Sequence, residues 1–436
     1  MLIVGGNWNN GSNAGVRAAN ANNSAGNSNN NIGFRLANCA PRAVRALRIA
    51  ANVRAHHTQV LRFFREAKHK ILRRQRVATR KLKPESTMPI TYKHLFQSVC
   101  EFENLHAAYQ RARRGKRTRA DVVDFTASLG ENLVSLKQRL QSMEWRPGPY
   151  REKVIHEPKE RIIRVAPFCD RIVHQSICSA IAPLFEETFI HDTYACRLGK
   201  GTLKAIDRLT TYLRRPGTSY VLKLDLRKFF DSIPHGLIMR ELEWRIGDAK
   251  VLELCRRILA SYQTNLEIFP EGFGARGIPI GNLTSQWFAN IIASRIDYHV
   301  KHVLRCRHYA RYMDDLVLLG PDKGTVRAWM AALSALIGEM GLMVNPKSCV
   351  YPAAGGVPFL GHKVWHDHRR ILRPNVVAGR RKMRKLLSLM KGGEVSGKQA
   401  MDSLRSWFSH LSHADTYRLR TALWSEAKGT LGEYIC

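Results

Sequence analysis

Nothing constrains this chain more than the nonapeptide Arg311-Tyr312-Met313-Asp314-Asp315-Leu316-Val317-Leu318-Leu319. Two adjacent carboxylates stand between two runs of aromatic and aliphatic residues with strand character. The pattern predicts a β-hairpin that carries its acids at the turn, within reach of solvent and metal. Taken alone, an Asp-Asp pair is more often a plain polar turn. A second acidic site upstream changes that balance: Tyr220-Val221-Leu222-Lys223-Leu224-Asp225 is another apolar run closed by a carboxylate. Two strands ending in acids, in a chain of net charge +35, point to divalent metals acting on a nucleic-acid substrate.

The charge argument needs the composition. Lys and Arg total 70 against 35 Asp and Glu, a balance that favours a polyanionic partner. Ribosome-like binding and anionic membrane surfaces compete with that reading, but no basic amphipathic anchor stands out. With 436 residues and 44% hydrophobic composition, the chain can bury a large core and is expected to form two or three subdomains. The nine cysteines are scattered without a Cys-x-x-Cys pair, which argues for reduced thiols rather than a disulfide framework or zinc site. No apolar run approaches a membrane span. Met1-Leu2-Ile3-Val4 is too short for a signal-peptide core. A soluble, cytoplasmic protein is the expectation.

Residues 1–37 differ in kind from the rest: eleven Asn, no Asp or Glu, and little that could form a core. Composition predicts a disordered tail. Residues 38–87 carry 14 Lys/Arg against two Glu and read as a basic leader or spacer, either an arm on RNA or a solvated segment. Met88 looks like a natural start. Between Tyr92 and Leu140 apolar residues recur at helical spacing and predict two or three amphipathic helices. The loop between them, Arg111 to Arg119, is a basic cluster placed for phosphate contacts. A hairpin follows, with Lys153-Val154-Ile155-His156 turning at Glu157-Pro158-Lys159-Glu160 into Arg161-Ile162-Ile163-Arg164-Val165. Helices are predicted over 170–189, 201–214, 237–262 and 326–340. Gly277-Ile278-Pro279-Ile280-Gly281 leads into another helix, and a glycine loop there suits phosphate or close backbone approach. Pro358-Phe359-Leu360-Gly361 reads as a further hairpin turn. The remainder, 373–436, is helical and basic, suited to a separate bundle. His410 and His413 read as a surface pair, because no Cys or acid completes a zinc set. His174 reads as a packing residue.

The order of these elements resembles a reverse transcriptase from about Met88 to Cys436, about four-fifths of the chain. The resemblance implies an α+β right-hand polymerase, with an antiparallel palm sheet and a helical thumb. It divides the chain into 88–215 for the fingers and the start of the palm, 216–372 for the palm with its fingers insertion, and 373–436 for the thumb. It implies nucleotidyl transfer with two Mg²⁺ ions, Mn²⁺ being an alternative, held by hard oxygen ligands. Asp225 and Asp314 are similar to the family's metal-holding carboxylates, and Asp315 matches its third acid. Phe230 falls where the family places an aromatic gate against the 2′-hydroxyl; the competing reading is a core Phe beside Phe229 at a strand end. Lys159 and Arg161 match the cations that clamp an incoming dNTP. Lys347 resembles the palm lysine suggested to protonate pyrophosphate, or is a plain surface charge. Phe359-Leu360-Gly361 looks like the primer grip.

Within that family, Pro279-Ile280-Gly281 departs from the usual Pro-Gln-Gly, and Ser285-Gln286 from the usual Ser-Pro. The pattern resembles reverse transcriptases of diversity-generating retroelements, as do Glu101-Phe102-Glu103-Asn104-Leu105 and Asp170-Arg171-Ile172-Val173-His174-Gln175. The resemblance implies that a template RNA is copied into cDNA with errors at adenines, in a bacterial, phage or archaeal host cell. The product replaces a variable region of a target gene, with help from a small basic helical accessory variability protein. Asparagine codons begin with two adenines, so residues 1–37 resemble a translated template repeat read through a spacer into the polymerase. The alternatives are a retron or group II intron-type enzyme, and a catalytically idle RNA-binding protein on a polymerase fold. The intron form is the less expected of these, since maturase and endonuclease modules would follow its thumb. A displayed binding module at 1–37 is disfavoured because so short a segment buries no core.

Overall fold

The computed structural model describes residues 91–155, 160–264 and 272–431. The Asn-rich tail, the basic leader and Lys159 lie outside the described residues. Four helices open the described chain: α1 (Leu95–Cys100), α2 (Phe102–Ala112), α3 (Ala120–Ala127) and α4 (Leu129–Gln141). Their periodic apolar positions Leu105, Tyr109, Leu133, Leu136 and Leu140 are buried. Two or three helices were predicted; extended backbone at Glu101 and a break at Ser128 make four.

The predicted hairpin follows as β1 (Arg151–Ile155) and β2 (Arg161–Val165), paired antiparallel with Arg151 opposite Val165. Next come α5 (Phe168–Glu186), buried along most of its length, and α6 (Thr202–Leu213). Beyond them lie β3 (Tyr220–Asp225), the one-turn α7 (Phe229–Ser232), α8 (His235–Glu243) and α9 (Ala249–Ala260). Where periodicity predicted continuous helix over 237–262, the chain breaks before Asp248. That side chain accepts from the backbone N–H groups of Lys250 and Val251 and caps α9.

The rest comprises α10 (Leu283–Tyr298), β4 (His308–Tyr312), β5 (Asp315–Gly320), α11 (Lys323–Glu339), β6 (Cys349–Pro352), β7 (Val357–Phe359), β8 (His362–Val364) and β9 (Arg369–Ile371). It closes with α12 (Arg373–Lys391), α13 (Gly397–Leu411) and α14 (Tyr417–Leu431). The fold is α+β. Its central sheet has the order β4-β5-β3-β6, antiparallel throughout. Every residue of β5 is buried, which is why that strand reads as an unbroken apolar run rather than an alternation. A second antiparallel sheet runs β7-β8-β9.

Two hydrophobic clusters result. The larger one spans α1 to β8, and the smaller joins α12, α13 and α14 around Met383, Leu387, Leu404, Trp407 and Leu411. Two expectations need correcting. Phe229 and Phe230 do not sit on a strand end: they lie in α7, and both rings are buried, packed edge to face at 5.9 Å. His410 and His413 are not a surface pair along one helix, because α13 ends at Leu411 and the His410 ring packs on the buried ring of His362 at 5.6 Å.

Candidate active site

The predicted acidic hairpin forms as written in the sequence. Tyr312 pairs with Asp315, so Met313 and Asp314 make a two-residue turn between β4 and β5. Met313 is left-handed there, at φ +59°, as tight hairpin turns require. The register of β3 on β5 places Asp225 directly opposite Asp315. Side chains alternate along a strand, so Lys223, Asp225 and Asp315 share one face of the sheet. Both acidic strands therefore deliver their carboxylates to the same end of the same sheet.

Each acid has its own support. The Nδ2 of Asn345 donates to Asp225 Oδ2 at 2.7 Å, and the Asn345 backbone N–H donates to the Asp225 carbonyl at 2.8 Å. The Asp225 N–H donates to Ser348 Oγ at 3.1 Å. Asp315 Oδ1 is ion-paired with Lys223, whose ammonium stands 4.8 Å from the ring centre of Phe359. Asp315 Oδ2 is buried without a hydrogen-bond partner. Burial pushes the Asp314 carboxyl up to about 7, with repulsion from Asp225 and then Asp315 adding to it and Arg161 opposing. Burial also raises Asp315, against the pull of Lys223.

Among the described residues, no three acidic, His or Cys side chains close on one point. The donor chemistry nevertheless fits a hard divalent ion: carboxylate oxygens only, crowded enough that one resists ionising. Mg²⁺ is usually held by one or two carboxylates together with water and substrate phosphates, not by a full protein cage. Asp225 and Asp314 are the pair that fits. Asp315 is engaged by Lys223.

The residues expected to meet a nucleotide come from distant segments. The Ile278 N–H donates to the Phe230 carbonyl at 2.8 Å, and the Arg164 N–H of β2 donates to the Ile280 carbonyl at 3.1 Å. The glycine loop thus bridges α7 to the β1–β2 hairpin. Gly281 sits at φ +126°, and a Cβ there would stand 2.9 Å from the Arg164 carbonyl; only glycine fits this approach. Arg161 lies at the start of β2, within electrostatic reach of Asp314. Arg164 ties the hairpin further, donating to Tyr262 Oη at 3.0 Å and pairing with Glu152 at 2.9 Å. Ile280 is half-buried against the main core. Gln286, on the first turn of α10, accepts from Cys196 Sγ at 3.4 Å.

Other predicted residues make no direct bond to the acids that the structure records, although Phe359 reaches Asp315 through Lys223 and Lys347 reaches Asp225 through Asn345. Lys347 is exposed, and its backbone N–H bonds Asn345 Oδ1 at 3.1 Å. Phe359 is fully buried. Leu360 and Gly361, at φ +50° and +85°, form the turn between β7 and β8. Lys159 lies outside the described residues. His174 is buried, its Nδ1 3.0 Å from Thr284 Oγ1, and so packs as expected. Sequence reasoning missed Lys223 and Asn345. Lys223 had a signal, since two residues before Asp225 on a strand means the same face. Asn345 had none, because its contact closes across about 120 residues.

Residues 153–364 match the family profile described as reverse transcriptase (RNA-dependent DNA polymerase). The chain is 25% identical over 294 residues to protein YkfC of Escherichia coli (strain K12), covering 58% of this chain and 76% of that protein. It is 22% identical over 218 residues to the group II intron-encoded protein LtrA of Lactococcus lactis, covering 48% of this chain and 35% of that protein. The chain thus spans about a third of LtrA. Among solved structures, a telomerase from Candida albicans in complex with a fragment of telomeric RNA aligns over 70% of this chain and 63% of that one, at 12% identity and a TM-score of 0.39.

Proposed function

We propose that this chain, an RNA-directed DNA polymerase by its reverse transcriptase domain at residues 153–364, copies the template RNA of a diversity-generating retroelement with errors at adenines. The observation that carries the chemistry is the meeting of Asp225 and Asp314 at one end of the central sheet, close enough that Asp225 disfavours charge on Asp314. Asp225 and Asp314 are the residues that would hold Mg²⁺, which when bound activates a primer 3′-hydroxyl and offsets charge on the leaving pyrophosphate. Asn345 fixes the Asp225 carboxylate, and Lys223 keeps Asp315 as a support. Arg161, with Lys159, offers fixed positive charge to an incoming triphosphate. Phe230 of α7, whose carbonyl accepts the Ile278 N–H, is in this reading the wall against a 2′-hydroxyl. The Phe359-Leu360-Gly361 turn is the primer grip in this reading, and the Lys223 ammonium lies between it and the acids. Lys347 is the remaining candidate proton donor.

Ile280 supports the error-prone half of the reading. An aliphatic side chain in place of an amide removes a polar contact beside the template-paired nucleotide, so discrimination loosens. Gln286 and the Asn-rich residues 1–37 point to the same element, with a basic helical accessory protein as partner. A group II intron-type enzyme is the second reading, favoured by the similarity to LtrA. Primer extension on an RNA template decides between them. Asp314→Ala should abolish extension, and wild-type misincorporation should concentrate opposite template adenine. Ile280→Gln should lower that error several-fold; equal error at all four bases would favour the intron-type reading.

A further inference from the structure

Among the described residues, one guanidinium is completely enclosed. Arg311, on β4, has no exposed surface, and neither has its partner Asp297 on α10. Its Nε and Nη2 donate to the two carboxylate oxygens, each at 2.7 Å. Tyr309 Oη and Thr193 Oγ1 donate to the same oxygens at 2.6 and 2.7 Å. Burying an ion pair is costly, and well-packed apolar residues of similar volume often hold a core as well or better. Stability alone does not account for this pair.

The remaining nitrogen supplies a reason. Nη1 donates to the carbonyl of Met313 at 3.0 Å and to Asn290 Oδ1 at 3.1 Å. Met313 immediately precedes Asp314 and is left-handed although it carries a side chain. Such a conformation persists only where its surroundings enforce it. The clamp is itself anchored: Asn290 Nδ2 donates to the Ala195 carbonyl at 2.8 Å, the Arg311 N–H donates to the Asp192 carbonyl, and the Tyr194 N–H donates to the Arg311 carbonyl, both at 3.0 Å. The peptide linking Met313 to Asp314 is planar. Fixing the Met313 carbonyl therefore fixes the plane from which the Asp314 side chain departs.

We infer that Arg311 is a positioning residue for nucleotidyl transfer: locked on Asp297, its guanidinium holds the Met313 carbonyl so that the left-handed turn aims Asp314 toward Asp225. Lysine has the charge but not the planar fork that reaches the carboxylate and the carbonyl together. The inference rests on reading Asp314 as a metal-holding acid.

The test is one-nucleotide extension of a primer on RNA, followed by rapid quench. The burst amplitude counts competent molecules, and the burst rate reads their geometry. The variants are Arg311→Lys and, to leave no unpaired buried charge, Arg311→Met combined with Asp297→Leu. In both, the rate per competent molecule should fall about 10- to 100-fold, the range expected when a reacting group is slightly misplaced. The half-saturating Mg²⁺ concentration should rise several-fold, and Mn²⁺ binding measured without substrate should weaken in parallel. Adding Met313→Gly should recover part of the rate, because glycine takes the left-handed turn unaided. Loss confined to amplitude or thermal midpoint, with rate and Mn²⁺ binding unchanged, would assign Arg311 to the core alone, as would failure of the glycine to rescue. Asp314→Ala separates the two layers. If that chain still extends primers and binds Mn²⁺ normally, the reading of the acid falls. If it is inactive while the Arg311 variants are unaffected, only the positioning role falls.

Discussion

Asp314 carries its chemistry in its proton. The folded chain holds this carboxyl near 7 by burial and by the neighbouring Asp225, above the ordinary carboxylate range. Between the two values the folded state binds the extra proton, so the metal-free protein loses stability as pH rises from about 4 through about 7. In the proposed metal-holding role, a cation must displace that proton to bind. The half-saturating Mg²⁺ concentration for primer extension should therefore fall several-fold from pH 6 to pH 8. In thermal melts without metal, Asp314→Asn should narrow the drop in midpoint between pH 5 and pH 7.5; an unchanged drop would refute the assignment. The acids themselves were legible in the sequence, because two apolar runs each end in a carboxylate. Arg311 stood beside them unread. Its partners Asp297, Asn290 and Thr193 come from other segments, and a one-dimensional pattern gives an arginine on a strand no reason to be buried.

At the scale of elements, what was legible was what is local. Both hairpins, the helix after the glycine loop and the terminal bundle follow from alternation, periodicity and turn residues within short windows. The misreadings occur where tertiary contacts override the window. Phe229 and Phe230 continue an apolar strand pattern, but the left-handed Lys228, at φ +46°, turns the chain into α7. Helical periodicity runs past Gly247, but the cap at Asp248 starts a new helix. The joint between the β1–β2 hairpin and the glycine loop is the element most exposed to a single change. Gly281→Ala places a Cβ against the Arg164 carbonyl in a conformation unfavourable to any L side chain, at a cost of about 1–3 kcal/mol. The expected phenotype is a KM for dNTP raised several-fold, with Mg²⁺ dependence unaltered. A wild-type KM would mean that the hairpin's position does not depend on this contact.

Across the whole molecule, the α12–α14 bundle packs around a hydrophobic cluster of its own, separate from the one beneath the acids. It is tied to the second sheet by Ile371 of β9, which belongs to its cluster, by the His410 ring on His362, by Arg369 and Asp415 bonding through backbone and side chain at 2.9 Å, and by the Leu372 N–H on the Gly361 carbonyl at 3.0 Å. Leu404 is buried in the small cluster, and Leu404→Ala should cost the bundle about 2–5 kcal/mol. Calorimetry should then resolve an early transition with the main one little moved. Merged transitions shifting together would show one cooperative unit instead.

That division has a consequence for the length of the product. In the proposed function, a single incorporation uses the acids, the glycine loop and the β1–β2 hairpin, which belong with the larger core. If the smaller cluster's basic helices act as the proposed thumb, staying on the duplex over many steps depends on them. Warming such an enzyme should first shorten its transcripts and only later stop them, so processivity and turnover should have different melting temperatures.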